Sequence, residues 1–446
     1  MPLAKPSKAG SPARPPTVIP TAPPIFTLPP KRRRRAIIAT LIGNALEHYD
    51  FVIYAYFSLT IARLFFPQHA PTAALLLSVS IYGTGFVMRP LGAVLFGVYA
   101  DRYGRRSALT ITLSLMGLGT LCIACAPTHA QVGVLAPLLL ILGRMLQGFS
   151  LGGEVGTSVT ALIEIDPLRQ RGLRSALESA SAAFAGIAAA GVVLIITHSL
   201  APDAVSAWGW RIPFLIGALG APAGVLLRYQ LADDRPTVRP PSFVQVTMAL
   251  RPHWKPLVLS ILMMQGAMIG YTMAGAYLPV HAMQWLGREL KTVHWIGMAS
   301  STTVMLVTPL FGMWSDRVGR RKPFAVIGRL STAIIVIPAY WVINHYPSLP
   351  VIMALAALMK VCLSISAATT LALISESFPR EVRATAVSIA HALASTVFAS
   401  STQVVVIGLI VLTGNLLAPA IYASCCLLVA VAAATLLKET GAQPLR

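Results

Sequence analysis

The chain runs to 446 residues, 56% of them hydrophobic and only 11% charged, with a formal net charge of +20. An ordinary soluble domain carries about a quarter charged residues, so this composition excludes one and implies an integral membrane protein. The excess of Lys and Arg does not by itself imply a nucleic acid, because in such a chain basic residues also set orientation in the bilayer.

Residues 1–35 are rich in Pro and poor in large apolar residues, and they close with the run "KRRRR" at Lys31 to Arg35. Such a composition cannot bury enough apolar surface to fold, so a disordered basic tail is expected. Its charges follow some thirty polar residues instead of preceding a short apolar segment, which argues against a cleaved signal peptide. Twelve apolar runs come next: 36–63, 72–99, 107–126, 133–163, 173–199, 211–230, 256–282, 292–314, 323–343, 350–375, 383–412 and 416–437. Each is long enough to cross a hydrocarbon core of about 30 Å as a helix. The weak ten-residue alternation of a membrane β-barrel is absent. The expected organisation is all-α: a six-helix bundle over 36–230, a linker over 231–255, a second six-helix bundle over 256–437 and a tail over 438–446. Cys122 and Cys125 make a CxxC inside span three, and Cys362, Cys425 and Cys426 also sit in spans. They read as small packing residues, and neither a metal nor a cofactor is expected.

Twelve spans put both termini on one side. Only Arg63, Arg211, Arg288 and Lys291 fall on the opposite side, while Arg89, Arg144, Arg329 and Lys360 lie within spans. All other Lys and Arg gather with the termini, which the positive-inside rule places in the cytoplasm. The basic balance thus reflects topology, with a lipid bilayer as partner and no nucleic acid.

The charged phrase "FGVYADRYGRR" at Phe96 returns as "FGMWSDRVGRR" at Phe311, and "EIDPLRQR" at Glu164 returns as "ESFPREVR" at Glu376. The offsets, 215 and 212 residues, agree closely enough to make the two six-span halves structural repeats in parallel orientation. These phrases close spans two and eight, and spans four and ten. With them the chain resembles the major facilitator superfamily, whose loop between spans two and three reads G-x-x-x-D-R-x-G-R-R. Gly97, Asp101, Arg102, Gly104, Arg105 and Arg106 match it, and Gly312, Asp316, Arg317, Gly319, Arg320 and Arg321 supply a second copy. "GNALEHYDF", "MRPLGAVLFG", "GRMLQGFSLGGE" and "WGWRIPF" make it similar to the metabolite:proton symporter branch, although His48 stands where many members of that branch carry Trp. The resemblance implies the twelve-helix fold of that superfamily and a bacterial inner-membrane location. It also implies a cytoplasmic latch built from the two loops with Glu164, Arg171, Glu376 and Arg383.

Charges inside the bilayer cost at least about 2.5 kcal/mol each, so each needs a partner, a cavity or a task. At 1.5 Å per residue, Glu47 and Asp50 lie roughly 16 Å and 21 Å deep, with Arg89 and Arg144 near the same level. Glu47 and Asp50 share one helix face, as like charges that raise one another's proton affinity. An Asp of span one beside an Arg of span four resembles the coupling pair of other proton-driven porters, so Asp50 with Arg144 is expected to carry the proton, with Glu47 second. Glu154 and Glu178 lie nearer the cytoplasmic end and suit a gate or proton exit. Arg89 and Lys360, with Tyr54 and Gln147, are the expected solute contacts, because an Arg fork binds both oxygens of a carboxylate. Gln265, Tyr271 and Tyr277 are open between cavity lining and interhelical bonding; His281 and His391 read as structural. Gly148, Gly152 and Gly156 form two GxxxG steps on span four, suited to close helix packing and not to a phosphate.

The expected function is therefore proton-coupled symport of a small organic anion, such as citrate or another di- or tricarboxylate, by alternating access in a monomer. Osmoprotectant uptake of proline or betaine is the alternative, since a zwitterion also carries a carboxylate. A sensor that has lost transport is a further alternative. No nucleophile is paired with a base, so an enzyme is not expected.

Overall fold

The computed structural model describes residues 30–66, 71–165, 170–228, 243–288 and 290–441. Among these, twelve helices are long and apolar enough to cross a membrane. The first half comprises α1 (Pro30–Phe65), α2 (Pro71–Tyr103), α3 (Arg105–Cys125), α4 (Leu135–Glu164), α5 (Arg171–Ser199) and α6 (Arg211–Arg228). The second comprises α7 (Trp254–Tyr271, continuing to Gln284), α8 (Leu290–Val318), α9 (Lys322–His345), α10 (Leu349–Glu376), α11 (Arg383–Ala394, continuing to Thr413) and α12 (Ala418–Leu436).

Three sequence expectations change. Most of the N-terminal tail lies outside the described residues, but helix α1 begins at Pro30, so the basic run expected to be disordered forms its first turns. Pro is accepted at a helix start, and Lys and Arg are good helix formers. The linker over 231–255 is only partly described; within it Phe243–Leu250 is helical, with Val246 and Leu250 buried against the core. The third change is that spans seven and eleven are not uniform α-helices. Wider π-type turns occupy Thr272–Tyr277 and Ser395–Ala399, and a further one, Val205–Gly209, leads into α6. Two of these hold the residue four positions before a proline, Gly209 before Pro213 and Gly275 before Pro279. There the ring removes an N–H and presses on a carbonyl of the preceding turn.

Packing repeats between halves. α2 lies on α4, α3 on α4 and α6, and α1 on α5 and α6; α8 lies on α10, α9 on α10 and α12, and α7 on α11 and α12. The halves meet where α2 and α4 pack on α11, and where α8 and α10 pack on α5. Each half has an apolar core of its own, and a third core joins α2 and α4 to α7, α10, α11 and α12. Close approach depends on glycine. A Cβ on Gly148 would overlap the Gly85 backbone of α2, one on Gly152 the Arg89 backbone, and one on Gly156 the Ser388 region of α11. The two GxxxG steps thus seat α4 on α2 and on the opposite half.

Candidate functional site: a double latch and a buried polar network

The repeated phrases meet on one face of the molecule, termed here the basic face. Gly104, at φ 97°, turns α2 into α3 within one residue, and Gly319, at φ 69°, opens the three-residue turn from α8 into α9. These are conformations a side chain disfavours. Each turn leaves an Asp at the end of its helix, aimed at a helix of the other half. Asp101 accepts hydrogen bonds from the Thr385 N–H (2.9 Å), the Thr385 hydroxyl (2.6 Å) and the Ala384 N–H (3.3 Å), which are open donors in the first turn of α11. Asp316 accepts from the Gly172 and Leu173 N–H groups (2.9 and 2.8 Å) in the first turn of α5. Each acid therefore caps a helix N-terminus across the interface, where unpaired N–H groups and the helix dipole favour an anion.

Ion pairs reinforce both caps. Arg105 binds Asp101 (2.5 Å) and reaches Glu164 (3.5 Å), which Arg383 of the other half also binds (2.8 Å). In mirror fashion Arg321 binds Asp316 (2.7 Å) and reaches Glu376 (3.6 Å), which Arg171 of the other half binds (3.2 Å). Of the basic residues in the two phrases, Arg105 and Arg321 enter these networks. The Arg102 guanidinium lies over the Tyr103 ring (4.9 Å), Arg106 accepts from Thr110 through its carbonyl, Arg317 is exposed, and Arg320 accepts from Ser315 through its carbonyl. Gly97 and Gly312 let the backbones touch: a Cβ on either would lie 2.7 Å from Thr385 Cα or Ala176 Cβ, respectively.

Sequence reasoning missed the segment after α12. Glu439 accepts from the N–H groups of Arg321 and Lys322 at the start of α9 (2.8 and 3.1 Å). Thr440 donates its hydroxyl to Glu376 (2.5 Å), and Arg171 donates to the Gly441 carbonyl (3.0 Å). A short polar stretch at a chain end carries no periodic signal that could have announced these bonds.

Deeper in the first half, four of the expected charges enter two hydrogen-bonded chains, one holding Asp50 and Arg144 and the other Glu47 and Glu154. Asp50 accepts the Thr120 hydroxyl of α3; Gln147 donates to that hydroxyl oxygen (2.8 Å), and Arg144 donates to Gln147 (2.8 Å). The Asp50 carboxylate abuts Gly217 of α6, where a Cβ would overlap it. Glu47 accepts from Ser150 (3.2 Å), which also bonds the Thr112 carbonyl (2.6 Å), and the Thr112 hydroxyl donates to Glu154 (2.6 Å). Asp50 and Arg144 are thus joined through Thr120 and Gln147, and Gln147, expected at the solute, sits inside this network. Tyr54 is fully buried, with the Arg144 guanidinium 4.4 Å from its ring centre. Thr112, Thr120 and Ser150 had no signal in the sequence, since Ser and Thr inside spans commonly bond their own helix backbone.

Arg89 and Lys360 are both nearly buried and belong to different halves. The Arg89 guanidinium lies over Phe86 (4.0 Å) and Phe51 (4.6 Å). Lys360 donates to the Tyr271 carbonyl (3.1 Å) beside the wide turn of α7 and lies over the Tyr271 ring (4.2 Å). Gln265 donates to the Cys426 carbonyl (2.8 Å), and His281 is held between Tyr277 (3.2 Å) and Asn344 (2.7 Å), so these act as links between or within helices.

The sequence profile of the sugar (and other) transporter family matches residues 35–233, and that of the major facilitator superfamily matches residues 261–446. A citrate-proton symporter of Klebsiella pneumoniae is 31% identical over 392 residues, 87% of this chain and 88% of that one. An α-ketoglutarate permease of Escherichia coli (strain K12) is 32% identical over 391 residues, 85% and 88% of the two chains. A glycine betaine/proline/ectoine/pipecolic acid transporter, OusA of Dickeya dadantii (strain 3937), is 30% identical over 433 residues, 93% and 85%. Among solved structures, the proton:xylose symporter XylE bound to 6-bromo-6-deoxy-D-glucose superposes with a TM-score of 0.74 at 18% identity, over 93% of this chain and 98% of that one. With its twelve spans and its two halves latched together, this chain belongs to the major facilitator superfamily of membrane transporters.

Proposed function

We propose that this transporter is a proton-coupled symporter of a small organic anion, a di- or tricarboxylate such as citrate, in the bacterial inner membrane. In this reading both termini are cytoplasmic, and the latched basic face is the closed cytoplasmic gate of an outward-facing monomer. Asp50 carries the proton, with Glu47 second as its neighbour one turn away on α1 and Arg144 as the countercharge reached through Thr120 and Gln147. The observation that carries the choice of an anion is the presence of a buried cation in each half, Arg89 and Lys360. A buried cation is costly unless a partner or a function offsets it, and a carboxylate suits the Arg fork. The citrate and α-ketoglutarate carriers among the relatives support the same class.

Osmoprotectant uptake is the second reading, favoured by the betaine and proline transporter that aligns over 93% of this chain. Proteoliposomes with an imposed pH gradient separate the two. Accumulation of labelled citrate against its concentration gradient is expected. Accumulation of betaine without any organic acid would transfer the assignment to the second reading, and binding without flux would mark a sensor.

A further inference from the structure

Helices α2 and α11 run antiparallel along the interface, and two contacts fix their register. Gly97 lies against Thr385 near the basic face, and the Thr396 hydroxyl donates to the Phe86 carbonyl (2.6 Å) farther in. Arg89 and His391 both lie between these contacts. His48, three residues before Phe51 on α1, joins them on the side where the Arg89 guanidinium rests over the Phe51 ring (4.6 Å). Arg89, His48 and His391 are close enough to interact electrostatically. An imidazole from each half therefore lies near the guanidinium proposed above to hold the solute.

The hydrogen-bonding state of these rings narrows what they can take. Nδ1 of His48 is 3.0 Å from the Asn44 carbonyl, which only accepts, so Nδ1 carries the hydrogen and a neutral His48 offers Nε2 as an acceptor. Nδ1 of His391 is buried with no hydrogen-bond partner among the described residues, and a buried polar atom in that state calls for an explanation. The neighbouring acids each have one oxygen engaged by a hydroxyl of another helix: Glu47 accepts from Ser150 of α4 and Asp50 from Thr120 of α3. The trio thus combines a donor fork from Arg89 with the Nε2 acceptor of His48 and, in its Nε2–H tautomer, the Nδ1 acceptor of His391.

We propose that His48 and His391 are specificity-determining residues that read an O–H group of the solute while Arg89 holds its carboxylate. The fitting ligand is a hydroxy acid, or a polyacid with one carboxyl protonated. This rests on the organic-anion reading above and deepens it: betaine, which has a carboxylate but no N–H or O–H, satisfies only the guanidinium.

Calorimetric titration of the purified full-length protein with citrate and glycine betaine tests this. His391→Leu and His48→Leu should each weaken citrate binding about ten- to a hundredfold, the loss of one hydrogen bond between a polar residue and a charged ligand. Either variant that melts below the wild type is replaced by His→Phe, which keeps a flat ring without the nitrogens, and the same loss is expected. Citrate binding at wild-type strength in folded variants of both positions would overturn the proposal while leaving the organic-anion reading intact. Wild-type protein that binds betaine and no organic acid would overturn both.

Discussion

Replacing Asp101 by Asn should open the basic face without disturbing insertion. The carboxylate accepts two backbone N–H groups and one hydroxyl from α11, and its remaining strong partner, Arg105, belongs to its own half. Hydrogen bonds to a charged group contribute about 1.5–3 kcal/mol each. An isosteric Asn keeps one acceptor oxygen but loses the charge at the helix terminus and turns an amide NH2 toward other donors. A loss of about 2–4 kcal/mol is therefore expected, all of it from contacts that exist only while the halves touch on this face. At about 1.4 kcal/mol per decade, the closed-to-open ratio falls roughly 30- to 1,000-fold. Spin labels at the exposed residues Tyr103 and Glu381, one on each half, should report a longer distance in the variant by pulsed electron resonance. Uptake should fall while membrane expression stays normal. Gly97→Ala should move the same distance in the same direction, since its new Cβ would lie 2.7 Å from Thr385 Cα, an overlap costing about 1–3 kcal/mol to relieve. Asp316→Asn should act likewise, somewhat more weakly, because no hydroxyl supplements its two N–H donors on α5. An unchanged distance distribution with normal uptake in Asp101→Asn would refute the latch and reduce the phrase to a topology signal.

Asp50→Asn should abolish accumulation driven by a pH gradient yet preserve counterflow exchange, which needs no net proton release; undiminished accumulation would move the proton to Glu47 or Glu154. Arg89→Ala should cost roughly 2–5 kcal/mol of solute binding, and Arg89→Lys should already weaken it, because a point charge replaces a two-pronged donor; a folded Ala variant with wild-type affinity would leave Lys360 as the anchor. Glu439 gives a pH dependence. Burial pushes its carboxyl up, but the N–H groups of Arg321, Gly441, Lys322 and Thr440 together outweigh that and hold it below its ordinary value of 4.5. A carboxylate with a lowered folded-state value stabilises fully above the unfolded value and loses that contribution as pH falls through the folded one. Glu439→Gln should therefore lower the melting temperature at pH 7, and the gap from wild type should narrow as the pH is taken below the ordinary value of 4.5 and through the lower folded-state one. Equal melting temperatures at pH 7 would remove the C-terminal segment from the latch.

Much of the fold was legible because the bilayer imposes a length and a polarity on every span. Twelve apolar runs gave twelve helices, and two phrases at nearly one offset announced the repeat before any contact was visible. Asp101 and Asp316 could be singled out because an acid has no place in a purely positive tether. Their partners could not, since an N–H group is present at nearly every residue and only the crossing of α2 on α11 and of α8 on α5 selects those of Thr385 and Gly172. The buried network divides the same way. Glu47, Asp50, Arg89, Arg144 and Lys360 stand out in sequence because hydrocarbon excludes charge, whereas Thr120, Ser150 and Gly217 look like ordinary helix residues until packing brings them to a carboxylate. Sequence by itself determined the spans, the repeat and which side chains are too costly to be incidental, because those follow from transfer free energy along the chain. Tertiary structure alone decided that each Asp caps a helix of the opposite half, that Gln147 and Thr120 link Asp50 to Arg144, and that Glu439 closes over the start of α9. Those depend on the register between helices hundreds of residues apart, which side-chain packing sets and local composition does not encode.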